Sequence, residues 1–206
     1  THNIQEARIL TKLAKDNKVV TQMGNQGGSC SGVSKIQEWI DKKLIGKVSK
    51  INVWTDRPVW PQGFQMKRSS QKKPNNLNWD LWLGPANYTD CTTELHPFNW
   101  RGWWDYGTGA LGDMGCHLLD VPFKSLDLGY PTDVEFSVAT VFEKAWNHNY
   151  VPEGCPSSSI VTLNFDETPK NKSNVELVWM DGGLRPSHPQ LIPPDDFLGE
   201  EYSRNG

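Results

Sequence analysis

The spacing of apolar residues changes period several times along the chain. From Asn3 onward it is helical, with Ile4, Ala7, Leu10, Leu13 and Ala14 on one side. Asn3 followed by Glu6 fits an N-cap with its reciprocal acid, and Asn17-Lys18 closes the helix. Val19 to Gly24 is a short apolar run that predicts a buried strand, ending on Asn25-Gln26-Gly27-Gly28. Helical spacing returns from about Ser31 to Leu44, where Val33, Ile36, Ile40 and Leu44 share a face and Gly46 suits a left-handed cap. From Val48 to Thr55 the period drops to two: Ile51 and Val53 alternate with Lys50 and Asn52, which predicts a strand.

Arg57 to Asn78 has no period. Pro58, Pro61 and Pro74 with Lys and Gln predict an irregular insert that wraps the surface or covers a pocket. Asp80 to Leu83 predicts one helical turn stopped by Gly84-Pro85, and Thr89 to Phe98 reads as loop. A longer helix is expected from Gly109 to Leu128, kinked or broken by Pro122 and ended by Gly129 and Pro131. Three period-2 faces follow: Val134 through Phe142, Val161 through Phe165, and Val175 through Trp179. The connections Asn147–Ser158 and Thr168–Asn174 are polar and lack helical spacing, which favours antiparallel pairing. The proline-rich tail from Arg185 to Pro194 predicts irregular chain. The whole pattern therefore reads as two units. Residues 1–30 suit the last helix and strand of a doubly wound α/β sheet. Residues 31–206 suit an α+β domain with a mainly antiparallel or mixed open sheet. The chain opens in a helix at Thr1 and is expected to be a piece of a longer one.

Composition narrows the function classes. The 206 residues carry a net charge of -3, and the largest basic clusters are Lys67-Arg68 and Lys72-Lys73, which gives no footprint for nucleic acid. No apolar run reaches the roughly 18 residues of a membrane span. Hydrophobic content is only 36%, but ten Trp and seven Phe supply large units for burial. Cys30, Cys91, Cys116 and Cys155 stand far apart, with no C-x-x-C to suggest a zinc ribbon.

The candidate chemistry lies in Asn99–Asp120, NWRGWWDYGTGALGDMGCHLLD. On one helix Asp113, His117 and Asp120 stand at i, i+4 and i+7 and share a face, among mostly apolar neighbours. Histidine beside carboxylate suits proton transfer near neutral pH. A satisfied core histidine and an N-capping aspartate are the plainer alternative. Arg101, Trp104 and Tyr106, just ahead of the glycine turn, can reach back over the helix start and rim a cleft with Asp113 and His117. Gly107-Thr-Gly109-Ala-Leu-Gly112 matches G-x-G-x-x-G, but no buried strand precedes it, so the glycines more plainly let the chain turn tightly. A metal is not expected: Cys116 and His117 point about 100° apart on a helix. Nor is a serine or cysteine nucleophile, for want of a motif such as G-x-S-x-G.

GALGDMGCHLLD, preceded by NWRGWWDYGT and by NWDLWLGPA at Asn78–Ala86, resembles the Gfo/Idh/MocA family of sugar-directed, nicotinamide-dependent oxidoreductases, in its bacterial Trp-rich form. The resemblance spans nearly the whole chain. It implies an N-terminal Rossmann domain that binds NAD or NADP and a C-terminal α+β domain that supplies the substrate site and an oligomer interface on its open sheet. By position in the family motif, His117 matches the acid/base and Asp113 its carboxylate partner. Arg101, Trp104, Tyr106 and Asp120 become candidate contacts for a sugar, cyclitol or polyol. The family's Lys in an E-K-P motif would precede Thr1, so this chain by itself is expected to be inactive. NAD-dependent glycosidases of the same fold and a non-catalytic sugar-binding or oligomerisation module are the alternative readings. The compartment stays open between bacterial cytoplasm and periplasm.

Overall fold

The computed structural model describes residues 2–149 and 153–187; the prolines of the tail from Pro189 on lie outside the described residues. The first helix, α1 (Ile4–Asn17), starts as its capping residues dictate: Asn3 Oδ1 accepts from the Glu6 backbone N–H at 2.9 Å, and Asn3 Nδ2 donates to Glu6 Oε1 at 3.1 Å. It buries none of its residues, and Ile4, Leu10 and Leu13 stay exposed. The strand expected at Val19–Gly24 does not form. Among the described residues no strand lies beside this segment to share its backbone hydrogen bonds, and Val20 is 98% exposed. The chain instead reaches a 3₁₀ turn at Gln26–Ser29 and then α2 (Ser31–Asp41). That helix stops three residues short of Leu44, because Lys43 takes the left-handed conformation at φ 55° ahead of Gly46.

The main sheet is mixed. Its strands are β1 (Lys50–Trp54), β2 (Asp133–Val138), β5 (Ser159–Phe165) and β6 (Val175–Met180), in the order β1-β6-β5-β2. β6 pairs parallel with β1, while β5 pairs antiparallel with both β6 and β2, in registers that set Val53 opposite Trp179 and Trp179 opposite Val161. The face expected to run from Val134 to Phe142 breaks after Val138, and β3 (Val141–Lys144) leaves to pair with β4 (Asn147–Asn149). Asn171, whose side chain is buried, fixes the start of β1: its Oδ1 accepts from Val48 N–H at 2.9 Å and its Nδ2 donates to the Val48 carbonyl at 2.8 Å.

The long helix expected over Gly109–Leu128 is two helices, α4 (Gly109–Leu118) and α5 (Asp120–Leu126). Pro122 is the physical reason. It has no N–H to return to the carbonyl one turn back, and it is tolerated in the first turn of α5, where N–H groups have no helical partner anyway. Met114, Leu118, Leu119 and Phe123 from this pair pack with Leu126 and Leu128 onto Val53, Phe165, Val175, Leu177 and Trp179 of the sheet. That layer is the larger core. It covers the β1–β6 end of the sheet and leaves Val134 and Phe136 of edge strand β2 exposed at 53% and 72%.

A second core joins the irregular insert to the segment that follows it. Met66, Leu95 and Trp103 pack with Trp79 and Leu83 of the short helix α3 (Trp79–Leu83). Trp79 stacks on Trp82 with ring centres 4.6 Å apart. The insert thus does more than wrap the surface: Trp60, Gln62 and Met66 are buried. It is tied down by Gln62 Nε2 donating to the Pro156 carbonyl at 2.5 Å and by Cys155 N–H donating to the Gly102 carbonyl at 2.8 Å. Gly102 is needed there, since a Cβ would stand 2.0 Å from the Pro61 carbonyl oxygen.

Candidate functional site

The glycines before α4 are used by the chain on itself. A Cβ on Gly107 would run into the Arg101 backbone at 2.6 Å, and one on Gly109, at φ 61°, would meet Cys155 Cβ at 2.7 Å. On Gly112 it would stand 1.9 Å from Thr108 Oγ1. The turn preceding them is the 3₁₀ segment Asn99–Gly102 and a single bridge from Trp103 to Gly154, not a buried strand. This G-x-G-x-x-G therefore does not fit a dinucleotide; its close approaches are already filled by protein.

α4 carries Asp113 and His117 one turn apart, both half-buried. Arg101 is folded back onto this helix, and its Nε donates to Asp113 Oδ1 at 3.1 Å. The guanidinium lies 4.4 Å from the Phe98 ring centre and 4.6 Å from that of Trp100, and its terminal nitrogen donates to the Phe98 carbonyl at 3.0 Å. With the Trp60 ring centre 5.7 Å away, three aromatic rings and a carboxylate thus hold one planar cation. His117, one turn on, is engaged from a different segment of the chain. Its Nδ1 lies 2.9 Å from Oδ1 of Asn25, at the entrance to the 3₁₀ turn Gln26–Ser29.

The remaining candidates spread out. Asp120 follows Leu119, whose backbone stays helical at φ -74° and ψ -23°, and it stands with His117 against the turn at 25–28. Its carboxylate is favourably placed in the first turn of α5 and pairs with Lys124 Nζ at 2.8 Å. Gly28 passes against this pair, where a Cβ would meet Asp120 Oδ2 at 2.8 Å. Trp104 lies apart from the Arg101–Asp113 pair: it lines a groove of about 390 Å³ between the α4 start and the uncovered face of β2, with Leu111, Phe136 and Val138. Tyr106 lines a different hollow of about 300 Å³ with Trp82, Trp100 and Asp105. The single cleft rimmed by Arg101, Trp104 and Tyr106 is thus divided: Arg101 meets Asp113, and the two aromatic residues face other hollows. Adjacency in sequence misleads here because Trp103, between the two cores' connections, is fully buried and its neighbours must point elsewhere.

Tyr106, Cys116 and Cys155 are among the groups with shifted acidities. Burial, and after it the Asp105 charge, pushes the Tyr106 phenol up, so it stays a donor. Burial and then the Asp113 charge push the Cys116 thiol up, which keeps it from being a thiolate nucleophile. Burial pushes Cys155 up to about 12.

Asn25 is the site residue that sequence reasoning passed over. Its signal was present but plain: an Asn-Gln-Gly-Gly turn reads as the end of a strand, and nothing in periodicity ties it to a helix 92 residues away.

The model of an oxidoreductase family described as the C-terminal alpha/beta domain of Gfo/Idh/MocA proteins matches residues 31–152. The chain belongs to that family. The matched span holds Arg101, Asp113, His117 and Asp120 together. Among solved structures, a super-repressor mutant of Gal80p from Saccharomyces cerevisiae is similar at 13% identity and a TM-score of 0.51, covering 88% of this chain and 40% of that one. At that identity the likeness is one of fold. It accords with the mixed sheet and helix layer described above, and this chain spans well under half the length of that relative. No curated protein matches.

Proposed function

We propose that this chain contributes the substrate side of an NAD(P)-dependent oxidoreductase that oxidises a hydroxyl of a sugar, cyclitol or polyol. The observation that carries the reading is the pair Asp113 and His117, one helical turn apart at the seam between the two cores, each half-buried. Family membership supports oxidoreductase chemistry. The residues' share of it is the proton. The substrate hydroxyl to be oxidised donates its proton to the His117 ring, and Asp113 accepts a hydrogen bond from a neighbouring hydroxyl of the same substrate, which orients it. Arg101 fixes one oxygen of Asp113 and leaves the other for that contact. The nicotinamide that takes the hydride is held outside the described residues, since the Gly107–Gly112 turn does not fit it. A homo-oligomer is proposed through the helix-free face of the sheet, where Trp54, Thr162 and Val178 lie.

The test is a screen of the full-length protein against sugars, inositols and linear polyols with NAD and NADP, followed by nicotinamide absorbance. Reduction with one of these classes, lost in His117→Ala, is the expected result. Nitrophenol release from an aryl glycoside instead would replace the dehydrogenase by a glycosidase. Silence in both assays would make the chain a non-catalytic module.

A further inference from the structure

Asn25 reaches α4 with both ends of its side-chain amide. Nδ2 donates to the Cys116 carbonyl at 2.6 Å, and Oδ1 stands 2.9 Å from His117 Nδ1. The second distance alone does not say which ring nitrogen carries the proton. The first one decides it. A backbone carbonyl only accepts, so the NH₂ end of the amide must face Cys116, and the end that faces His117 must be the oxygen. An amide oxygen also only accepts. Two acceptors do not sit 2.9 Å apart without a proton between them, so the neutral ring carries its proton on Nδ1. Nε2 then keeps the lone pair.

The fold explains why the amide can be held so firmly. Cys116 lies in the last turn of α4, where carbonyls run short of helical donors because the helix ends at Leu118. The break ahead of Pro122 thus frees an acceptor beside His117. Gly28 lets the turn come close to the helix pair: a Cβ there would stand 2.8 Å from Asp120 Oδ2. Asp113, one turn back on α4, is engaged by Arg101 rather than by this nitrogen.

We infer that Asn25 is a positioning residue that fixes His117 as the Nδ1–H tautomer and so presents Nε2 as the proton acceptor. The inference rests on the reading of His117 as the base, but its test does not. The full-length protein, labelled with ¹⁵N at histidine, is examined by long-range ¹H–¹⁵N correlation at a pH where the ring is neutral. The signals of His117 are picked out from those of the other histidines by their loss in His117→Gln. The wild-type ring should show the Nδ1–H pattern. In Asn25→Ala the tautomer ratio should move about five- to tenfold toward Nε2–H, the equilibrium worth of one hydrogen bond. Asn25→Asp, which keeps an acceptor for Nδ1–H while losing the donor to Cys116, should retain the wild-type pattern. A wild-type ring in the Nε2–H form overturns the inference, and so does an Asn25→Ala spectrum with an unchanged ratio. A protein that oxidises no polyol yet gives the expected spectra would refute the oxidoreductase reading and leave the role of Asn25 standing.

Discussion

The two cores are built from different chemistry. The sheet core is mainly aliphatic and periodic: Val53, Val175, Leu177 and Trp179 lie on one face of the strands and receive a helical face of Met114, Leu118 and Phe123. The cap core is aromatic and aperiodic: Trp79, Leu83, Leu95 and Trp103 come from turns, a single helical turn and an insert. Regular elements can bury a face with small, interchangeable units, because period supplies the alignment. Irregular chain cannot, and it uses a few large rings whose burial is worth more per residue. α4 runs between the two, with Met114 on the sheet side and Arg101 of the cap lying on Asp113. The candidate site is therefore at a seam, where side chains are held without being enclosed.

That placement makes the largest expected effect a kinetic one. On the proposed reading, His117→Ala in the full-length protein should cut turnover roughly 10²- to 10⁴-fold, as loss of a general acid or base does. Thermal unfolding should move little, because the ring belongs to neither core. A sharp fall in melting temperature with turnover of the folded fraction intact would put His117 inside a core and remove the seam.

The cores themselves come next. Leu177→Ala, at a fully buried position of the central strand β6, should cost about 2–5 kcal/mol, and Trp103→Ala in the cap about 3–5 kcal/mol. The contrast lies in how the loss spreads. Hydrogen exchange on Leu177→Ala should show protection falling across β1, β5 and β6 together. Trp103→Ala should expose the amides of residues 95–107 while the sheet stays protected. Equal loss everywhere in both variants would mean that the two cores form one cooperative unit.

How much of this the sequence revealed follows the same division. The strands at Val53, Val161 and Val175, the broken helix at Pro122 and the capped helix at Asn3 were legible, since each has a periodic or local signal. The Val19–Gly24 strand was expected because apolar runs form strands, but a run of residues cannot announce whether a neighbour exists to bond it. The Asp113–His117 spacing was legible from helix geometry. The places of Trp104 and Tyr106 were not, because they depend on which way an aperiodic chain turns around Trp103. Asn25 was hidden for the converse reason: its role is a long-range contact made by a residue whose local meaning is only a turn.

Cys155 tests the joint between cap and sheet. It is 1% exposed, and its N–H bonds the Gly102 carbonyl of the cap while its side chain meets Gly109. Burial raises its thiol from 9.0 to about 12. The folded state thus holds the proton that the unfolded chain gives up, so the contribution is fully present below pH 9.0 and is lost as pH rises to about 12. Within that window wild-type stability should decline more steeply than that of Cys155→Ala, by up to about 1.4 kcal/mol per pH unit. Chemical denaturation at a series of pH values measures the difference, and parallel slopes would mean that the thiol is open to water.

The smallest effect is expected where the two regions touch through charge. Arg101 and Asp113 make one 3.1 Å contact through Nε, not a two-pronged pair, and their side chains are 25% and 30% exposed. Solvent screens such a pair, so a double-mutant cycle with Arg101→Ala and Asp113→Asn should give a coupling of about 0.2–1 kcal/mol, smaller at high salt. Arg101→Ala by itself should cost more than the coupling, because the guanidinium also loses the Phe98 and Trp100 faces and the Phe98 carbonyl. Arg101→Lys separates the two contributions. It keeps the charge near Asp113 but not the flat face on the rings, so it should recover most of the coupling and little of the stacking. A coupling well above 1 kcal/mol would mean that the ion pair, rather than the packing of Met114 on the sheet, sets α4 in place. In that case cap and sheet would be joined by charge, and Asp113 would be held too tightly by Arg101 to turn toward a substrate.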